Sequence, residues 1–334
     1  MAGLDGLFGG RRWLLADGGL GTSFFAQGLP AGDSPEIWNV TRRQSVRAAH
    51  AAFLAAGSDL ILTNSFGANR PRLELHRQGD QVAALNRAAA EVARDAVEDH
   101  RRRTGKPAWV AGSMGPTGSL FTPLGPLTDD AAAAIFTEQA TALAAGGVDL
   151  LWVETMSDEA EVKTAVAAAR ATGLPVVCTM SFDTHQRTMM GVAPADFAGF
   201  WVTGDGAPNA LGANCGIGPA EALDTVLDIA AAAPSGDLAV KGNCGVPFID
   251  QGQVCYRAAP ATMADYACLA RDAGARIIGG CCGTGPLHVA AMAAALADRA
   301  PGGRCDRDRI AAVLGVPWNM ASAASPRRDR RRRR

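Results

Sequence analysis

Short apolar runs alternate with longer alanine-rich stretches of helical period along most of this chain. The short runs fall at 13–16, 59–63, 108–112, 150–154, 176–180, 210–213, 238–241 and 276–279. Helical periodicity predicts helices over 41–56, 81–102, 129–145, 158–171, 220–232, 261–273 and 286–297. The less regular stretch 194–202 supplies the remaining helix, which completes eight strand–helix units. Strands that are apolar throughout are buried on both faces, and alternation with helices implies parallel pairing. Eight such units in about 300 residues predict an α/β protein with a closed (β/α)8 (TIM) barrel, its site at the C-terminal mouth of the strands. An open doubly wound sheet would place a glycine-rich fingerprint at the first strand–helix turn. Here Asp17-Gly-Gly-Leu-Gly-Thr22 puts the acid first, with no helix start in the matching place. The expected organisation is a barrel over 1–300, a short extension over 301–320 and an Arg-rich tail over 321–334.

Composition sharpens this only at the tail. The chain has 334 residues, 48% of them hydrophobic, enough to bury a full core. The net charge of −1 conceals an asymmetry: residues 327–334 carry +6, so the remainder carries −7. No aromatic residue interleaves those arginines to stack on bases, so the tail is read as a solvated end and nucleic acid is not expected as a partner. No apolar run is long enough to cross a membrane, and the N-terminus lacks a secretory pattern. The expectation is a soluble, cytoplasmic protein with no membrane partner. Eight cysteines in so large a chain are then read as reduced thiols or metal ligands rather than a disulfide framework.

The reactive residues gather where the strands end. Asp17 and Gly18 follow the first strand, Asn64, Ser65 and Phe66 the second, and Ser113 and Met114 the third. Glu154 and Thr155 end the fourth, Ser181, Phe182 and Asp183 the fifth, and Asn214 and Cys215 the sixth. Asn243 and Cys244 end the seventh, Cys281 and Cys282 the eighth. In a (β/α)8 barrel these ends converge on one mouth, which predicts a single site.

Three of these cysteines suit one soft metal. Cys215, Cys281 and Cys282 lie at the ends of strands with one strand between them, and three thiolates leave a fourth tetrahedral position open. Adjacent strand residues point to opposite faces, so Cys281 and Cys282 share an ion only if the backbone turns; Gly279, Gly280 and Gly283 supply that freedom. Buried structural thiols or a vicinal disulfide are the alternatives for the pair alone. Cys244 sits between the ligands and is a possible extra ligand that would close the site with four cysteines. Cys178, Cys255, Cys268 and Cys305 are read as core or surface thiols, and His185 as a loop residue bordering the mouth. An open zinc–thiolate site binds and ionises a substrate thiol, which suits alkyl transfer to sulfur. Asp17 and Glu154, without an obvious basic partner at their strand ends, either cap loops or bind a substrate ammonium, while backbone N–H groups of the glycine-rich loops hold a carboxylate. Together these describe a small thiol amino acid.

Six segments resemble the homocysteine S-methyltransferase family. They are Asp17-Gly-Gly-Leu-Gly-Thr22, Thr63-Asn-Ser-Phe66, Gly112-Ser-Met-Gly-Pro-Thr-Gly118, Glu154-Thr155, Asn214-Cys-Gly216 and Gly279-Gly-Cys-Cys-Gly-Thr284. They span residues from about 13 to 298 in family order. With Met180-Ser-Phe-Asp183 and Thr188-Met-Met-Gly191, the run looks most like bacterial betaine–homocysteine methyltransferases. The resemblance implies a zinc-dependent barrel with Cys215, Cys281 and Cys282 as ligands, and Asp17 and Glu154 near the homocysteine amino group. It extends substrate binding to Gly18, Thr63, Asn64, Ser65 and Asn214. Cys244 departs from the family pattern, in which that position is usually small and not cysteine.

The donor side is less like the family. Trp38, in Pro35-Glu-Ile-Trp38, resembles the tryptophan lining the donor pocket of betaine enzymes, and Phe66 is the other expected donor-binding residue. Tyrosines that animal enzymes carry after the second and fourth strand motifs are here Gly67 and Thr155. The expected reaction is transfer of a methyl group from betaine or a related onium donor to homocysteine, giving methionine. S-methylmethionine, S-adenosylmethionine or a methylcorrinoid on a separate protein are the alternative donors. A zinc- or thiol-binding regulatory protein is the alternative outside enzymology. None of this limits oligomerisation.

Overall fold

The computed structural model of the protein describes residues 3–317, apart from 31, 184, 202–205, 234–235 and 252. The Arg-rich tail, 321–334, lies outside the described residues. Eight parallel strands form one sheet: β1 (Leu14–Leu15), β2 (Leu60–Leu62), β3 (Trp109–Met114), β4 (Leu150–Met156), β5 (Val176–Met180), β6 (Ala210–Cys215), β7 (Asp237–Gly242) and β8 (Ala275–Gly280). Neighbours follow chain order from β2 to β8, and β8 then pairs with β1. Ala16 bridges Leu60 in parallel, and the Asp17 N–H donates to Leu60 O at 3.0 Å, so the two edges of the sheet meet. The helices that follow are α1 (Arg43–Ala55), α2 (Val82–Thr104), α3 (Asp129–Ala145), α4 (Glu159–Arg170), α5 (Pro194–Gly199), α6 (Pro219–Ala232), α7 (Pro260–Asp272) and α8 (Pro286–Asp298). This is the (β/α)8 barrel that the alternation predicts.

Local chemistry sets the helix starts. Proline occupies the first turn of α5, α6, α7 and α8, where its missing N–H costs nothing. Thr128 and Asp158 cap α3 and α4 by accepting from the Ala131 and Glu161 N–H groups. A helix at Arg307–Leu314 follows the barrel. Its Arg307 pairs with Asp224 and Asp228, its Arg309 with Asp272, and its Ile310 is buried. No described helix is long and apolar enough to cross a membrane.

Strand parity divides the core and then positions the site. Leu14, Ala16, Leu60, Leu62, Ala111, Leu150, Trp152, Val177, Ala210, Ala239 and Ile277 form one buried cluster inside the barrel. Their neighbours Leu15, Ile61, Val110, Leu151, Val153, Cys178, Leu211, Leu238, Val240 and Ile278 belong to the cluster between strands and helices. Side chains two residues further along a strand share a face. One step above the inward apolar residues, or two where Gly212 and Gly279 intervene, therefore come Ser113, Glu154, Thr179, Asn214, Lys241 and, just past β8, Cys281. A polar layer caps the apolar interior.

One buried group away from the site makes the fold sensitive to pH. His50 on α1 is fully buried, and both ring nitrogens lack a hydrogen-bond partner among the described residues. Burial alone lowers its pKa to about 4. The unfolded chain therefore takes up the proton first, and stability present above pH ~6.5 is lost as pH falls towards 4. Between pH 7 and 5 the difference amounts to about 2 kcal/mol. Urea unfolding of wild type and His50→Leu at both pH values measures it. The substituted protein is expected to lose less stability on acidification, and equal losses would show that His50 is not held neutral.

Candidate metal centre and substrate pocket

The three sulfurs predicted to share a metal come together at the mouth. Cys215, Cys281 and Cys282 place their Sγ atoms within 4.8 Å of one another, and Cys215 and Cys282 stand 4.0 Å apart. Two sulfurs each ~2.3 Å from a tetrahedral zinc ion lie about 3.8 Å apart, so spacing and donor softness both fit zinc. No disulfide joins them.

Two departures from regular strand geometry bring them there. Asn214 points inward, so Cys215 in continued strand would point to the helices; instead its φ is +63°, the left-handed region, and the chain turns to aim Sγ at the mouth. Cys281 and Cys282 begin a four-residue turn closed by the Thr284 N–H donating to Cys281 O at 3.0 Å. Gly283, third in that turn, has φ +80°, a conformation that a type II turn reserves for residues without a Cβ. Gly279 and Gly280 are not part of the turn as expected; both lie in β8. Gly18 is required for close approach, since a Cβ there would stand 2.0 Å from Thr284 O.

Cys244 is not brought into the set. It is buried, with Sγ 3.2 Å from Thr284 Oγ1 and its N–H donating to Cys282 O at 3.0 Å. The closed arrangement of four cysteines is therefore not assembled. The reason is parity: Lys241 takes the inward position on β7, and the chain after it carries the Cys244 side chain away from the mouth.

Asn243 and Asn214 hold the three cysteines from behind. The Cys282 N–H donates to Asn243 Oδ1 at 2.9 Å, while Asn243 Nδ2 donates to Gly216 O at 2.6 Å and lies 3.4 Å from Cys215 Sγ. Asn214 Oδ1 accepts from the Thr155 N–H at 2.8 Å and from Thr179 Oγ1 at 2.7 Å. Its Nδ2 donates to Thr155 Oγ1 at 2.6 Å and lies 3.9 Å from Cys281 Sγ. Thr155 itself has φ +60°.

The acids are not without a basic partner, contrary to the expectation from the sequence. Lys241 Nζ donates to Asp17 Oδ1 at 2.7 Å, both side chains being at most 3% exposed. The Leu62 N–H donates to Asp17 Oδ2 at 2.8 Å. The ammonium also lies 5.5 Å from the ring centroid of buried Trp152. Burial pulls Lys241 down, but the Asp17 and Glu154 carboxylates and Cys281 more than offset this and hold its pKa above the ordinary lysine value. Burial raises Glu154, opposed by Lys241 and by the Ser113 hydroxyl that donates to Glu154 Oε1. Burial likewise raises Asp17, against the pull of Lys241. Lysine inside an apolar strand signals a paired buried charge, a cue in the sequence that attention to strand ends passes over.

A cavity of about 360 Å³ lies over these groups. Its walls include Asp17, Gly18, Glu154, Lys241, the three cysteines, Thr63, Asn64, Ser65 and Phe66. The β2 end is fixed by its own bonds: Ser65 Oγ donates to Ser113 O at 2.8 Å, and Asn64 Nδ2 to Pro35 O at 2.8 Å. Asn214 supports the floor from below without lining the cavity. Trp38 does not line it either. Its ring packs 5.2 Å from Phe24 in a buried cluster with Leu29 and Val46, and Arg42 stacks 4.7 Å from it. The short helix Trp38–Thr41 turns that ring into the core. Phe25, Phe66 and the buried Glu36, whose Oε1 accepts from the Gly67 N–H at 2.7 Å, stand at the outer wall instead. Two larger clefts, of about 630 and 620 Å³, lie near Arg276 at the opposite end of the barrel and contain none of these thiols.

The model of the homocysteine S-methyltransferase family matches residues 14–296, a stretch that contains every strand and every group just described. The chain belongs to the homocysteine S-methyltransferase family. Among solved structures, the metallated form of the homocysteine methyltransferase MmuM from Escherichia coli superposes with a TM-score of 0.71 at 26% identity, covering 87% of this chain and 99% of that one. Its oxidized form gives a TM-score of 0.70 at 27% identity, covering 87% and 98%. Methionine synthase of Mycobacterium tuberculosis (strain ATCC 25618 / H37Rv) is 29% identical over 301 residues, and that of Mycobacterium leprae (strain TN) is 29% identical over 306. Each alignment takes in 86% of this chain, which spans about a quarter of the length of these curated relatives. Family membership thus covers the barrel and its mouth together.

Proposed function

We propose that this protein transfers a methyl group from a small onium donor, betaine or a related ammonium or sulfonium compound, to the thiol of homocysteine, giving methionine. The observation that carries this reading is the convergence of three cysteine sulfurs with two carboxylates and a lysine in one cavity. A zinc ion on Cys215, Cys281 and Cys282 would supply ionisation of the substrate thiol at neutral pH.

The chain's own groups supply binding and alignment. Glu154, hydrogen-bonded by Ser113, offers a carboxylate for the amino group next to the cysteines. Phe25 and Phe66 offer ring faces to a cationic donor, whose attraction to an aromatic face replaces the contact expected of Trp38. In the transfer the new sulfur–carbon bond forms as the donor's bond to that carbon breaks, and the electron pair returns to the donor's nitrogen or sulfur. The donor leaves one charge unit less positive. Holding thiol and donor in line supplies the acceleration that positioning gives.

The test is methionine formation by full-length zinc-loaded protein with homocysteine and, separately, betaine, S-methylmethionine, S-adenosylmethionine and methylcobalamin. Turnover with one donor identifies it. Protein that carries one zinc per chain yet makes no methionine from any donor would sink the methyltransferase reading in favour of a zinc- or thiol-binding role.

A further inference from the structure

Asn243 does not itself line the cavity, yet its amide contacts two of the three cysteines that do. It leaves the end of β7, which separates the strand carrying Cys215 from the strand preceding Cys281 and Cys282. From there Oδ1 accepts the Cys282 N–H at 2.9 Å, inside the vicinal-cysteine turn. Its Nδ2 donates to Gly216 O at 2.6 Å, just past the left-handed Cys215, and sits 3.4 Å from Cys215 Sγ. Both departures from strand geometry that the cluster needs are thus tied to one planar group.

The amide suits this place because it is donor and acceptor at once. Cys282 N needs an acceptor, and Gly216 O and a thiolate at Cys215 need donors. Asparagine is 5% exposed here, so a lost bond is not replaced by bulk water. N–H groups directed at a metal-bound thiolate withdraw charge from sulfur and fix its orientation, as outer partners do for other metal ligands.

We propose that Asn243 is a positioning residue for the metal: it locks Cys215 and Cys282 into the spacing that holds zinc and donates a hydrogen bond to the Cys215 sulfur. Two substitutions separate the two duties. Asn243→Asp keeps an oxygen for the Cys282 N–H but turns the donor facing Cys215 and Gly216 into an acceptor. Asn243→Ala removes both contacts. The inference rests on the zinc centre of the functional reading but not on methyl transfer, so its test uses the metal alone.

Full-length wild type and both variants are loaded with zinc, and transfer of the ion to a chromophoric chelator is timed. Each protein is also loaded with cobalt(II) to record the thiolate-to-metal charge-transfer band. Zinc loss about 10- to 100-fold faster for Asn243→Ala, with a weakened or shifted band, supports the assignment. Faster loss in Asn243→Asp as well assigns part of the effect to the bond on sulfur. Rates and bands of both variants within twofold of wild type would overturn it. So would variants whose only defect is lower stability of the metal-free fold, with metal release unchanged. If Asn243→Ala does not fold, Asn243→Asp decides by the same two readouts. Wild type that takes up no zinc would sink this inference and the zinc centre together, whereas wild type that holds zinc but makes no methionine leaves only the methyltransferase reading refuted.

Discussion

Cys215→Ala and Cys282→Ala are expected to lose bound zinc, from ~1 to ~0.1 per chain or less, and with it any methionine formation. Each removes one of three sulfurs that lie within 4.8 Å of one another, and two thiolates leave the ion too few protein ligands to compete with a chelator. Cys244→Ala is the informative companion. Its sulfur contacts Thr284 Oγ1 rather than the cluster, so the substituted protein should keep its zinc while losing about 1 kcal/mol of stability from the emptied space. Metal analysis of the three purified proteins after dialysis against a weak chelator measures this. Zinc loss in Cys244→Ala equal to that in Cys215→Ala would restore the closed site of four cysteines and leave no position for a substrate thiol.

Lys241→Met is expected to destabilise the fold by about 3–5 kcal/mol. Asp17 is fully buried, and removing its counterion leaves either an unpaired carboxylate in the barrel or a carboxyl that must take up a proton. The double substitution Asp17→Asn with Lys241→Met removes both charges and should recover most of that loss, since a neutral pair has no comparable desolvation penalty. Denaturant unfolding of wild type, the two single variants and the double variant completes the cycle. A single-variant cost below about 1 kcal/mol would mean that the pair is solvated and contributes as a surface ion pair does.

Much of the site was legible before folding because a parallel barrel orders its chemistry along the chain. Each strand is apolar where it lies between two cores, so the polar residues at its C-terminal end mark the mouth, and Asp17, Glu154, Cys215, Cys281 and Cys282 all line the cavity there. Lys241 escaped that rule, and Asn243 obeyed it without revealing what it does. Lys241 lies within β7 rather than beyond it, and only the inward parity set by Ala239 reveals that it enters the barrel. Asn243 lies where expected, but its partners belong to residues about 28 and 39 positions away, beyond any local pattern. Trp38 failed in the other direction. Its motif places it near the mouth, but a side chain on a short helix has two sides, and packing against Phe24 chose the core.

By itself the sequence determined the class of fold, the end of the barrel at which chemistry gathers and the three thiols that meet there. Those follow from local hydrophobic period and from residue type at strand ends, which need no knowledge of partners. The tertiary structure alone decided which way the side chains face: Cys244 away from the cluster, Trp38 into the core, Lys241 onto Asp17, Asn243 across two of the cysteines. Where a strand is buried on both faces its run is apolar on both parities, so that run carries no record of which residues point inward. Only closure of the sheet, with its register and its left-handed turn at Cys215, assigns the faces.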